Sequence, residues 1–150
     1  LIKVFLCFLF LAQPIKASVC KNVFENGKNP NTVVKMKELR EIMWQIEELL
    51  YQLRDGQDVY TELQQPLSEA IALSRHLYEN ANEIYMPAKA LDIEIGKRYL
   101  FLQHYERAYQ ILQRHFERLS DAAKQRASYE EIRHRVARIK DYSTRMHYRF

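Results

Sequence analysis

The sequence predicts an all-α protein, with about four antiparallel amphipathic helices in an up-down bundle and the third helix longest. Three observations carry this reading. Apolar residues recur at spacings of three and four along most of the chain. No stretch alternates with period two over a useful length. The 3 glycines and 4 prolines fall largely between the periodic segments, where helices must stop.

Residues 1–17 are set aside as a secretory leader. Lys3 supplies a basic start, the nine residues Val4–Ala12 are continuously apolar, Pro14 breaks the run, and Ile15-Lys16-Ala17 ends on a small residue suited to signal peptidase. Nine apolar residues are too few to span a bilayer. Residues 18–31 form a tail, closed by the turn-rich "NGKNPN" at 26–31. The bundle domain is 32–150.

The first helix is capped by Asn31 or Thr32 and carries Met36, Leu39, Met43, Ile46, Leu50 and Leu53. Their alternating spacing of three and four is an a/d seam, widened by Ile42 and Leu49 into a core-facing stripe. Asp55-Gly56 stops it. A second helix begins near Val59 or at Pro66, a residue suited to a first turn, and runs to Tyr85. Its apolar face includes Leu67, Ala70, Ile71, Ser74, Leu77, Tyr78, Ala81 and Ile84. After Pro87 a long third helix is expected over 88–123, with Leu91, Ile95, Leu102, Tyr105, Tyr109, Leu112, Phe116 and Leu119 inward and a bend at Gly96. Ser128-Tyr129-Glu130-Glu131 is a capping box that opens the fourth, with Ile132, Val136 and Ile139 as its stripe.

The whole chain carries a formal charge of +4. Without the leader's Lys3 and Lys16 this becomes +2, and the mean conceals a strong asymmetry. Residues 18–106 hold 10 basic and 14 acidic side chains, whereas residues 107–150 hold 11 basic and 5 acidic ones.

"QHYERAYQILQRHFERL" (103–119) has the crowding of a functional site, with His104 and His115 on one helix. Those histidines are about 16 Å apart along the axis at 1.5 Å per residue, too far to share a metal. No other ligand lies one turn from either, so no metal or other cofactor is expected. Tyr105, Tyr109, Leu112, Phe116 and Leu119 belong to the core, while Arg107, Arg114 and Arg118 form a solvated face. The remaining acids, Ser74 and Cys20 lack the neighbours that make a nucleophile or an acid–base pair, so no catalytic set is expected.

The fourth helix is where a contact surface is expected. Arg133, Arg135, Arg138, Lys140, Arg145 and Arg149 are answered on that helix only by Glu130, Glu131 and Asp141, which predicts a largely unpaired cationic strip. Tyr142 lies among them, and Tyr and Arg are enriched at protein–protein hot spots. The partner-binding residues are therefore Arg133, Arg135, Arg138, Lys140, Tyr142 and Arg145, and the expected partner is an extracellular protein with an acidic patch. An anionic polysaccharide or a membrane surface also suits such a strip. Nucleic acid is not expected, because the chain has no recognised nucleic-acid motif and a secretory leader. A carrier of a lipid or small hydrophobic ligand inside the bundle is the alternative from another class.

The layout resembles the small secreted helical proteins of blood-feeding insect saliva, in particular the anophensin/albicin-type mosquito salivary proteins. The leader "LIKVFLCFLFLAQPIKA", the short basic helical chain and the absence of a catalytic set carry the resemblance. It implies an inhibitor of host complement or of the contact phase of coagulation, and it assigns no functional residue.

Cys7 leaves with the leader, so Cys20 is the one thiol of the mature chain and is expected to form an intermolecular disulfide in a homodimer. Non-reducing electrophoresis should show a dimer that collapses with reductant or on Cys20→Ser. A monomer with one titratable thiol in both lanes contradicts it.

Overall fold

The computed structural model describes residues 30–81 and 86–150. The leader, Cys20, Ile84 and Tyr85 lie outside the described residues. What is described is helical: α1 (Pro30–Arg54), α2 (Gln64–Glu79), a single 3₁₀ turn at Ala88–Ala90, α3 (Ile95–Lys124) and α4 (Tyr129–Arg149). No strand occurs among these residues. Each helix packs on its chain neighbour, and α1 meets α4 to close the ring. The most extensive approach is α2 on α3; Ala70 and Ser74 of α2 and Ser120 of α3 are small and buried. Ser120 Oγ donates to Gln64 Oε1 at 3.0 Å across this interface.

The predicted stripes supply the core. Leu39, Ile42, Ile46 and Leu53 of α1 are buried, with Met36, Met43, Leu49 and Leu50 packed at its margin. They join Leu67, Leu77, Leu112, Phe116, Leu119, Ile132, Val136 and Ile139 in one continuous cluster. Two boundaries follow the expected chemistry. Pro66 falls in the first turn of α2, where its missing N–H breaks no helical bond. Ser128 caps α4, its Oγ accepting from the Glu131 N–H at 3.3 Å.

The third helix departs from expectation. It starts at Ile95, so Gly96 lies in its first turn and marks no bend. Leu91 is exposed and Ile95 is 81 % exposed, so the inward stripe begins only at Leu102. Two local interactions account for the break. Arg98 and Lys97 donate backbone N–H bonds to the Glu94 carbonyl, which starts the helix there. The Arg98 guanidinium reaches back to the carbonyls of Leu91 and Ile93, both at 3.4 Å, and holds the preceding loop.

Both α1 and α3 end in the same pair of bonds. Gln57 N–H donates to Gln52 O and Gly56 N–H to Leu53 O; Ala127 N–H donates to Ala122 O and Arg126 N–H to Ala123 O. This Schellman closure needs a left-handed residue. Gly56 takes that place in the first turn at φ 86°, but in the second the residue is Arg126, at φ 54°. A left-handed L-residue costs roughly 1–2 kcal/mol. Contacts from the α1–α2 loop offset that strain. The Arg126 guanidinium donates to Asp58 Oδ2 at 2.6 and 2.7 Å and lies 5.3 Å over the Tyr60 ring, while Tyr60 Oη donates to Ala127 O at 2.6 Å.

A second tie closes the opposite end. Lys89 Nζ donates to Tyr148 O at 3.0 Å, and Phe150 meets Phe101 and Tyr105 edge-on at 5.5 and 5.3 Å. Tyr105 in turn packs edge-on against Tyr109, whose hydroxyl donates to Met36 Sδ at 3.0 Å. Burial raises both phenol pKa values, so these rings serve as neutral core material.

Ile46 is completely buried near the middle of α1. Ile46→Ala is expected to cost about 2–5 kcal/mol in urea or thermal unfolding, the range for removing a well-packed aliphatic side chain. A loss under about 0.5 kcal/mol, the scale of surface changes, would mean that α1 does not pack through this seam.

Candidate functional site

A helix places residues seven apart on nearly one line, and this sorts the basic residues of α4 into strips. Arg133 and Lys140 share one strip, Arg135 and Tyr142 a second, and Arg138 and Arg145 a third. The structure sends these strips to different neighbours. Lys140 Nζ lies 2.7 Å from Glu47 of α1. Tyr142 lies against α3, its ring centroid 5.3 Å from that of His115. The six residues expected to form one surface are therefore divided between the α1 side and the α3 side of the helix.

The expectation that the strip is largely unpaired is corrected as well. Arg133 pairs with Glu130 at 2.8 Å, Arg135 with Glu131 at 2.7 Å and Arg145 with Asp141 at 2.7 Å, besides Lys140 with Glu47. The i, i+3 and i, i+4 spacing brings the local carboxylates onto three of these cations, and α1 supplies the fourth. Arg138 has no carboxylate within ion-pair distance among the described residues. The Arg133 and Arg145 pairs are solvent-exposed, so each adds little to stability and leaves the guanidinium accessible.

On the α3 side a second group joins. His115 of α3 is half-buried, and Arg118, Arg138 and Arg145 bear on it electrostatically. Partial burial lowers its pKa from the ordinary 6.5, and the three arginines push the same way. Tyr142 is raised by burial, with Arg145 and Arg149 pulling in the opposite direction. The result is a surface of Arg118, His115, Arg138, Tyr142 and Arg145 spanning two helices. Arg118 also has no carboxylate within ion-pair distance among the described residues, which leaves Asp141 as the paired counter-charge on this group.

His115 and Arg118 were legible in the sequence only as members of a crowded helix. Nothing in α3's own period says that their side of the helix would meet Tyr142. The tyrosines divide similarly: Tyr105 and Tyr109 are buried, Tyr51, Tyr99 and Tyr148 are exposed, and Tyr60, Tyr78, Tyr129 and Tyr142 lie between. Among the described residues no three metal-ligating side chains gather to hold an ion, and no helix is long and apolar enough to cross a membrane.

Fold and surface together describe a helical bundle that presents a basic, tyrosine-containing face. Comparison with known protein families, with curated proteins and with solved structures finds no match for the chain.

The lowered pKa of His115 gives a stability prediction with a defined sign. Above about pH 6.5 both folded and unfolded forms are neutral; as pH falls below it the unfolded chain takes up the proton first, so the stability held at neutral pH is lost as pH falls through the folded value. His115→Gln should flatten that acid-side loss, and the His115 ring in an NMR titration should respond below 6.5, moving upward in Arg138→Glu. An unshifted ring in both proteins would mean that the arginines do not converge on it.

Proposed function

We propose that this is a secreted, non-enzymatic binding protein that acts by covering an acidic patch on an extracellular partner with its α3–α4 face. The observation that carries the reading is the field of Arg118, Arg138 and Arg145 at His115, whose ring packs against Tyr142. Such a face combines arginine forks, which match carboxylates in plane, with an aromatic ring that contributes contact area. The leader supports an extracellular setting, and the layout's resemblance to salivary inhibitors makes a host complement or contact-phase component the proposed target class. Catalysis is not needed for such an inhibitor, since occlusion is sufficient. The bundle axis is filled by side chains such as Ile46, Leu112, Phe116, Leu119 and Ile132, each at most 1 % exposed. That packing favours a surface role over carriage of a hydrophobic ligand.

The test uses immobilised protein and plasma. A plasma protein retained by the wild type should be lost from the Arg118→Glu/Arg138→Glu/Arg145→Glu variant and released as salt shortens the screening length from its physiological value of about 8 Å. Arg133→Ala/Lys140→Ala, on the α1 side, should retain it. Equal helicity by circular dichroism checks that the variants are folded. Retention by the triple variant, or loss with the α1-side variant alone, would place the contact elsewhere.

A further inference from the structure

The bundle converts an asymmetry along the chain into one across the molecule. Residues 30–81 carry 9 acidic and 5 basic side chains; residues 86–150 carry 8 acidic and 14 basic. Because α1 packs on α2 and α3 on α4, these halves become two layers of opposite charge lying side by side. The acidic layer has relief. A depression between α1 and the start of α2 is lined by Trp44, Glu48, Leu49, Glu62 and Pro66, and at Gln45 it meets a second one lined by Glu38, Glu41, Ile42 and Glu69. Trp44 is 64 % exposed at its edge. Glu48 and Glu62 have no cation within ion-pair distance among the described residues, and Glu41 has only Lys37, at 3.9 Å.

The groove and the basic face match in register. On α4, Arg138, Tyr142 and Arg145 follow one another at steps of four and three. On α1, Glu48, Trp44 and Glu41 read backwards take the same steps. Both triplets span seven residues, about 10.5 Å of helix. Laid antiparallel, they set Arg138 against Glu48, Tyr142 against Trp44 and Arg145 against Glu41, an aromatic centre flanked by opposite charges. Lys37 then faces Arg149, a like-charge contact that limits the overlap at one end.

We propose that the α1–α2 groove is the docking site for the α4 basic strip of a second copy of this chain. The contact is heterologous: each copy offers its groove to one neighbour and its strip to another, so association continues beyond a pair, into a ring or a filament. It is small and charge-driven, hence weak, reversible and salt-sensitive. It does not rest on the existence of an outside target, although such a target would compete for the same strip.

Sedimentation velocity tests it, with Cys20→Ser as the background so that no covalent dimer contributes. The weight-average sedimentation coefficient should rise with protein concentration at low salt and fall to the monomer value near 1 M salt, where the screening length is about 3 Å. Glu41→Arg/Glu48→Arg destroys the groove alone, and Arg138→Glu/Arg145→Glu destroys the strip alone, so each protein should sediment as a monomer. Mixed together they offer one native groove–strip pairing and a second in which both charges are exchanged, so association should resume and continue beyond a pair. A wild type that stays monomeric at every concentration overturns the proposal, as does a mixture that fails to associate while both variants keep wild-type helicity. Self-association lost without loss of plasma capture, or the reverse, separates this proposal from the one for an outside partner.

Discussion

The close approach of α2 and α3 is the contact on which the rest of the structure depends. On these two helices Leu67, Leu77, Leu112 and Phe116 are almost wholly removed from water, and Ser120 bonds Gln64 across the pair. Burial on this scale is the main source of stability in a domain this size, and the described core contains no disulfide to supplement it. Once α2 and α3 are paired, α1 and α4 each find one flank already built. Their own seams then fill the remaining sides, and their mutual contact is the smallest in the ring.

The ends of the bundle are held by polar contacts that hydrophobic packing would not specify. At one end the α1–α2 loop meets the α3–α4 turn through Tyr60, Asp58 and Arg126. At the other, Lys89 and the Phe150 ring tie the end of α4 to the chain before and within α3. These ties join elements far apart in sequence, and they set the relative heights of the helices. That matters for the surface, because a slip of one turn along α3 would separate His115 from Tyr142. The geometry of the basic α3–α4 face is thus inherited from contacts at the two ends.

The two charged layers give this small bundle a polarity that its modest net charge does not reveal. Fields of this kind act on encounter rates and on the choice of partner more than on the depth of binding. A basic face and an acidic groove on one chain also mean that the proposed self-contact and the proposed target contact draw on the same residues.

Much of the architecture was legible locally. The a/d seam of α1, the Ser128 cap and the turn at Gly56 depend on residues within a few positions of one another, and period and capping chemistry determine them directly. The sequence by itself also determined that α4 is the most basic segment and that its apolar stripe leaves Arg138 and Arg145 outside. Tertiary structure decided what period cannot: that Lys140 meets Glu47, that Tyr142 meets His115, and that Arg126 adopts a left-handed conformation because Asp58 and Tyr60 receive it. The start of α3 at Ile95 is different: it rests on local contacts of Glu94 and Arg98 that an apolar pattern continuing upstream does not reveal. The physical reason is common to the three tertiary cases. Helical periodicity specifies which side of its own axis a residue occupies, whereas the identity of the neighbour on that side follows only from how the helices pack.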